Sequence, residues 1–156
     1  MGQLSLAAGD QEGAIRAYAN VVEQHPKSKG AFVGMAEALL ALNRLEQARK
    51  AVDKAMENGA NDGHAYHVNG RIYLGQAKFF RALRALQKAD RLIEKDAEIL
   101  ADLGLAQLGT RSITRAEKSF KDSLRRKRLP RAQEGMARLL LARKKYRDAE
   151  IGRAHV

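Results

Sequence analysis

Residues 63–96 read GHAYHVNGRIYLGQAKFFRALRALQKADRLIEKD. Small and apolar residues recur every three or four positions on either side of the polar tripeptide Gln76-Ala77-Lys78. The stretch therefore predicts two amphipathic helices, about Asp62 to Gly75 and Phe79 to Ile93. Ala82, in the second helix, belongs to a series Ala14, Ala48, Ala82, Ala116 and Ala149, with steps of 34, 34, 34 and 33 residues. A period of this size predicts stacked helix pairs, in which each pair buries its apolar face against its neighbours.

The pattern extends in both directions. Before residue 63, Gln11 to Gln24 is predicted as a helix burying Ala14, Ile15, Tyr18 and Val21, and Leu4 to Ala8 as the end of an earlier one. Pro26 stops that helix. Residues 29–62 place Phe32, Met35, Ala36 and Leu39 on one face of a first helix. A turn at Asn43-Arg44 leads to Ala48, Val52 and Ala55 on a second helix, which Gly59 closes. After residue 96, Leu100, Leu103, Gly104 and Gln107 precede a turn at 110–112 and a helix carrying Ala116, Phe120 and Ser123. A last helix starts near Pro130 and offers Met136, Ala137 and Leu140 before an expected turn at Lys144-Lys145 into Tyr146 to Glu150. The expected division is a partial repeat at 1–28, repeats at 29–62, 63–96 and 97–129, and a partial repeat at 130–150. Small residues let two helix backbones approach at a crossing, and a bulky residue one or two turns away fills the groove beside it.

These positions resemble the tetratricopeptide repeat family. Its pattern appears as Phe32, Met35, Ala36, Leu39, Ala48, Val52 and Ala55, then as Tyr66, Asn69, Gly70, Tyr73, Ala82, Leu86 and Ala89. It appears again as Leu100, Leu103, Gly104, Gln107, Ala116, Phe120 and Ser123. Asn69 and Gln107 depart from it by standing where apolar residues are usual, and Ala60 and Glu94 replace its terminal proline. The resemblance implies an all-α, right-handed superhelical solenoid of antiparallel helix pairs. It also implies a non-catalytic protein–protein interaction scaffold that binds a peptide or helix in a concave groove. Carried over in this register, the groove is lined by Val33, Glu37, Leu40, His67, Arg71, Leu74, Ala101, Leu105, Leu108, Glu134, Arg138 and Leu141, with Arg71 and Arg138 as polar anchors. The Lys and Asn clamp by which some members hold a chaperone's terminal carboxylate is not reproduced.

Both ends are expected to be cut inside a repeat, since Met1-Gly2 stand in the place of Met35-Ala36 and Arg153 in that of Tyr18, Val52, Leu86 and Phe120. Residues 151–156, Ile-Gly-Arg-Ala-His-Val, leave the pattern and resemble the translation of a common sequencing-library adapter. They are read as a non-native tail. Weak end-to-end association of a monomer is the self-contact such ends would allow.

The chemistry available to the chain is narrow. It has no cysteine, and hence no thiolate ligand or nucleophile, and no glycine-rich phosphate loop. His64 and His67 lie three apart on one helix without further ligands at metal spacing, and are read as groove-lining or solvated. No catalytic residue, metal or cofactor is expected. No apolar run approaches the roughly 20 residues of a membrane span. The net charge of +11 is localised: residues 1–110 carry 14 basic against 13 acidic side chains, and residues 111–147 carry 14 against 3. Arg111, Arg115, Lys118, Arg125, Arg126, Lys127 and Arg128 form a basic patch. The alternative readings are electrostatic binding of nucleic acid, an anionic membrane surface or an acidic protein through residues 111–147, although the scarcity of free aromatics disfavours base stacking, and the interaction part of a larger enzyme or signalling protein.

Overall fold

The computed structural model describes residues 9–155, so Leu4 to Ala8 and Val156 lie outside it. Eight helices and no strand occur among the described residues. They are α1 Gln11–Gln24, α2 Lys29–Ala41, α3 Leu45–Glu57, α4 Gly63–Gly75, α5 Phe79–Leu92, α6 Ala97–Gly109, α7 Ile113–Arg126 and α8 Pro130–Ala154. The chain divides into two compact units, one ending at Ile93 with α1 to α5 and one from Glu94 onward with α6 to α8.

Local chemistry sets where the helices begin and turn. Ser28, Asp62 and Asp96 each precede a helix and accept hydrogen bonds from first-turn N–H groups, those of Ala31 at 3.4 Å, Ala65 at 2.9 Å, and Glu98 and Ile99 at 2.9 Å. Such a cap contributes about 1 kcal/mol by satisfying donors the helix itself cannot. Between α2 and α3, α4 and α5, and α6 and α7, the chain reverses through Asn43, Ala77 and Arg111, with φ of 57°, 55° and 62°. The following N–H then closes on the preceding helix: Arg44 on the Leu39 carbonyl, Lys78 on Tyr73 and Ser112 on Gln107, at 2.8 to 2.9 Å.

The paired helices bury different amounts of themselves. In α3, α5 and α7 one stripe is buried: Ala48, Ala51, Val52 and Ala55; Ala82, Ala85, Leu86 and Ala89; Ala116, Ser119, Phe120 and Ser123. In α2, α4 and α6 two stripes are buried. One carries Ala36, Gly70 and Gly104 and meets the partner helix. The other carries Ala31, Gly34 and Ala38 in α2, Ala65, Val68 and Ile72 in α4, and Ile99, Asp102 and Ala106 in α6. In the first unit this second stripe of α4 joins Val33, Leu39, Ala51 and Ala55 in one core. Sequence reading had assigned only the first stripe to packing.

The last helix differs from expectation. No turn occurs at Lys144-Lys145; α8 runs unbroken from Pro130 to Ala154. Lys145 stands 34 residues after Arg111, but the residues beyond it are good helix formers. Folding back would bring Arg153 to the place that Val52, Leu86 and Phe120 fill with apolar bulk. Without a returning helix, Ala137, Leu140 and Ala149 are exposed rather than buried, and Met136 is half-buried. The residues of α8 that pack are Ala132, Gly135 and Leu139, which join Phe120, Ala116 and Ala101. Val21 is likewise corrected: it is 40% exposed, because no described helix covers that side of α1.

The two polar departures from the repeat pattern have partners. Gln107 Oε1 accepts from the Ser119 hydroxyl at 2.7 Å, both being buried, and Asn69 Oδ1 accepts from the Arg49 guanidinium at 2.8 Å. A buried amide left unpaired would cost about 1–3 kcal/mol, so each substitution is tolerated through the hydrogen bond it makes.

Candidate functional site

Three helices of the first unit converge on a cavity of about 260 Å³ lined by Tyr18 of α1, Lys29, Gly30, Val33, Gly34 and Glu37 of α2, Ala60 and Asp62 of the loop, and His64 of α4. The Asp62 cap starts α4 one residue before His64, which places the imidazole in the first turn, 3.4 Å from the Glu37 carboxylate. Their hydrogen bond holds Glu37 below the usual carboxylate range, helped by the nearby charges of Arg71 and His67 and opposed by burial. The same bond raises His64, with the charges of Glu37 and Asp62 acting in the same sense. Tyr18 is raised by burial and then by the Glu37 charge.

The expected groove residues of the first unit fall into two sets. Val33 and His67 are buried, and Glu37, Leu40, Arg71 and Leu74 are half-buried. Val33 and Glu37 line the cavity, and Arg71 and His67 act on Glu37. Tyr18, Lys29, Ala60 and Asp62 were missed by the sequence reading. Asp62 carried a capping signal, but nothing in a single helix's periodicity shows that a loop and α1 reach the same space.

In the second unit, Ala101 is buried, Leu105 and Leu108 are half-buried against the Phe120 core, and Glu134, Arg138 and Leu141 are exposed. Arg138, expected as an anchor, pairs with Glu134 on its own helix at 2.5 Å. The basic segment is also partly neutralised. Arg125 pairs with Asp122, Lys127 with Glu98, Arg131 with the buried Asp102, and Lys121 and Arg143 both with Glu117. Glu117 titrates at about 2, lowered first by Lys121 and then by Arg143. Arg126 donates to the Asp122 carbonyl at the end of α7. Arg111, Arg115, Lys118 and Arg128 make no ion pair with a described residue.

A second, wider cleft of about 270 Å³ lies along α4 and α5 and is lined by Tyr66, Asn69, Tyr73, Arg81, Arg84, Ala85 and Lys88. Its aromatic faces are already covered by cations of the chain: Arg49 lies 4.5 Å from the Tyr73 ring centre and Lys88 5.0 Å from that of Tyr66. No group of three or more metal-ligating side chains, and no helix long and apolar enough to cross a membrane, occurs among the described residues.

The tetratricopeptide repeat family model matches residues 5–68. The crystal structure of MamA superposes with a TM-score of 0.74 at 20% identity, covering 100% of this chain and 98% of that one. The chain has the tetratricopeptide repeat fold. It is also similar to pilF of Pseudomonas aeruginosa, with a TM-score of 0.75, 23% identity, and coverage of 96% of this chain and 68% of that one. It is similar as well to YrrB, described as a TPR protein with an unusual peptide-binding site, with a TM-score of 0.67, 17% identity, and coverage of 89% and 81%. No curated protein matches it by sequence. The tetratricopeptide repeat is a scaffold for protein–protein interaction.

Proposed function

We propose that the chain acts without catalysis and binds a helix or extended segment of a partner protein. In the first unit the segment lies on the face of α2 and α4 that holds the Glu37–His64 cavity. The second unit offers a face of its own, with Leu105 and Leu108 of α6 and Arg138 and Leu141 of α8. The observation that carries this reading is the cavity itself. Helices α1, α2 and α4 line a mixed polar and apolar space, and the half-buried Leu40 and Leu74 follow on α2 and α4; such a surface suits a side chain followed by an apolar stretch. YrrB's peptide-binding site supports the same use of the fold. The test is an array of immobilised amphipathic and apolar peptides of about fifteen residues. Binders selected on the wild-type chain should lose about tenfold in affinity on Leu74→Asp or Leu141→Asp while helicity is retained. Undiminished binding by both variants refutes the face.

A second reading rests on the four cations without ion pairs, Arg111, Arg115, Lys118 and Arg128. If they attract a polyanion, affinity for a mixed-sequence oligonucleotide falls steeply with added salt, and charge reversal at Arg111, Arg115 and Lys118 abolishes it. A flat salt response ends that reading.

A further inference from the structure

The cavity lining combines two kinds of chemistry. Tyr18, Glu37 and Asp62 bring oxygen atoms to its lining, and Gly30, Val33 and Ala60 bring apolar surface, with Glu37 one helical turn beyond Val33 on α2. We infer that it is a pocket for one lysine or arginine side chain of the bound segment, with the cationic head on Glu37 and the stem along Val33 and Ala60. This rests on the binding face proposed above and states what the face selects.

Three observations lead there. A lysine or arginine side chain is itself divided into an apolar stem and a charged head, in the same order as Val33 and Glu37 follow each other along α2. The lining carries two carboxylates, Glu37 and Asp62, against one lysine, Lys29, which sits exposed at the first residue of α2, while Arg71 and His67 act on Glu37 from α4 without lining the cavity. The third observation is that the cation now opposite Glu37 is His64, whose charge is conditional, and whose side chain is 54% exposed, so that an incoming head group can take its place. Asp62 accepts from the Ala65 N–H through one oxygen and keeps acceptor capacity beyond it.

The pocket also makes recognition depend on pH. The groups facing Glu37 and His64 are Tyr18 from α1, Lys29 from α2, Asp62 from the loop, and His67 and Arg71 from α4. Protonated His64 competes with the ligand's head group for Glu37, and neutral His64 does not. Arg71 repels a second cation at either pH, which limits the gain to a modest factor.

The experiment uses the whole chain and a peptide selected on the array, scanned at one position with lysine, arginine, norleucine and glutamate. At about pH 8 the lysine or arginine peptide should bind about fivefold tighter than the norleucine peptide, and at about pH 5.5 the advantage should fall below about twofold. Glu37→Gln should erase the advantage, so that the lysine and norleucine peptides bind alike. Equal binding of lysine and norleucine peptides by the wild type, or an advantage that survives Glu37→Gln, overturns the pocket while leaving the binding face intact. Preference for glutamate overturns it in favour of an anion site. If no peptide binds, the face itself fails, and butylguanidinium decides the pocket alone. A shift of the His64 ring resonances in the wild type but not in Glu37→Gln supports it, and unshifted resonances overturn it.

Discussion

The Phe120 ring offers the most direct test of how this chain packs. It is fully buried between α6 and α8, and each helix presents a glycine to it. A Cβ added at Gly135 would stand 2.4 Å from two ring carbons, and one added at Gly104 would stand 2.6 Å from the ring. Ordinary carbon contacts are about 3.5–4.0 Å, so Gly135→Ala requires a movement of about 1 Å. The ring cannot retreat, because Gly104 closes the other side. Overpacking of this kind costs about 1–3 kcal/mol. Replacing glycine with alanine in a helix interior returns about 0.5–1 kcal/mol. The net effect should be a loss of about 1–2 kcal/mol, or about 3–6 °C in Tm for a chain of this size. Urea unfolding followed by far-ultraviolet circular dichroism measures it. Phe120→Leu should recover about 1 kcal/mol in the Gly135→Ala background, a coupling that a double-mutant cycle isolates. If Gly135→Ala is as stable as the wild type, the ring is not confined by that glycine and the packing argument fails.

Ala77 occupies a left-handed turn that alanine adopts at a cost, so Ala77→Gly should raise stability by about 0.5–1 kcal/mol, read from the same unfolding curves. Arg111→Gly, one repeat later, should act in the same direction, whereas a loss in both would mean the turns are held in another conformation. Asp96→Ala removes two first-turn acceptor bonds of α6 and should cost about 0.5–2 kcal/mol; hydrogen exchange should quicken first at Glu98 and Ile99. The Glu37–His64 pair has a pH window. Glu37's lowered value makes its contribution present above its ordinary 4.5 and lost as pH falls through the folded value. His64's raised value makes its contribution complete below 6.5 and lost as pH rises through the folded value. The stability difference between wild type and His64→Gln should therefore be largest between about pH 4.5 and 6.5, and a difference independent of pH would show that the pair does not form.

Much of this architecture is legible because it is local. The caps at Ser28, Asp62 and Asp96 depend on a side chain bonding a backbone group two or three residues on, and the helices between them follow from the spacing of small and bulky residues. The turns at Asn43, Ala77 and Arg111 are equally local and recur at one interval. By contrast, the buried stripe through Ala31, Gly34 and Ala38 escaped the sequence reading, since alanine and glycine are as common on exposed helix faces as on crossed ones. Their burial depends on a neighbouring helix, and so does the exposure of Ala137 and Leu140 where α8 has none folded over it.

The binding face shows the same division. Val33 and Glu37, and His67 and Arg71, are expected on the proposed face because they share positions in successive repeats. His64 stands opposite Glu37, 27 positions away on another helix, and Tyr18 and Asp62 close the space from α1 and from the loop before α4. By itself the sequence determined that the chain is helical, where most of its helices start and turn, and that they pair, because hydrogen bonding and side-chain spacing within about four residues decide those things. Only the tertiary structure decided which faces are covered, that α8 runs unbroken, and that two carboxylates, one imidazole and one phenol surround a single cavity, because those depend on how close separate helices come and on the shapes of the side chains between them.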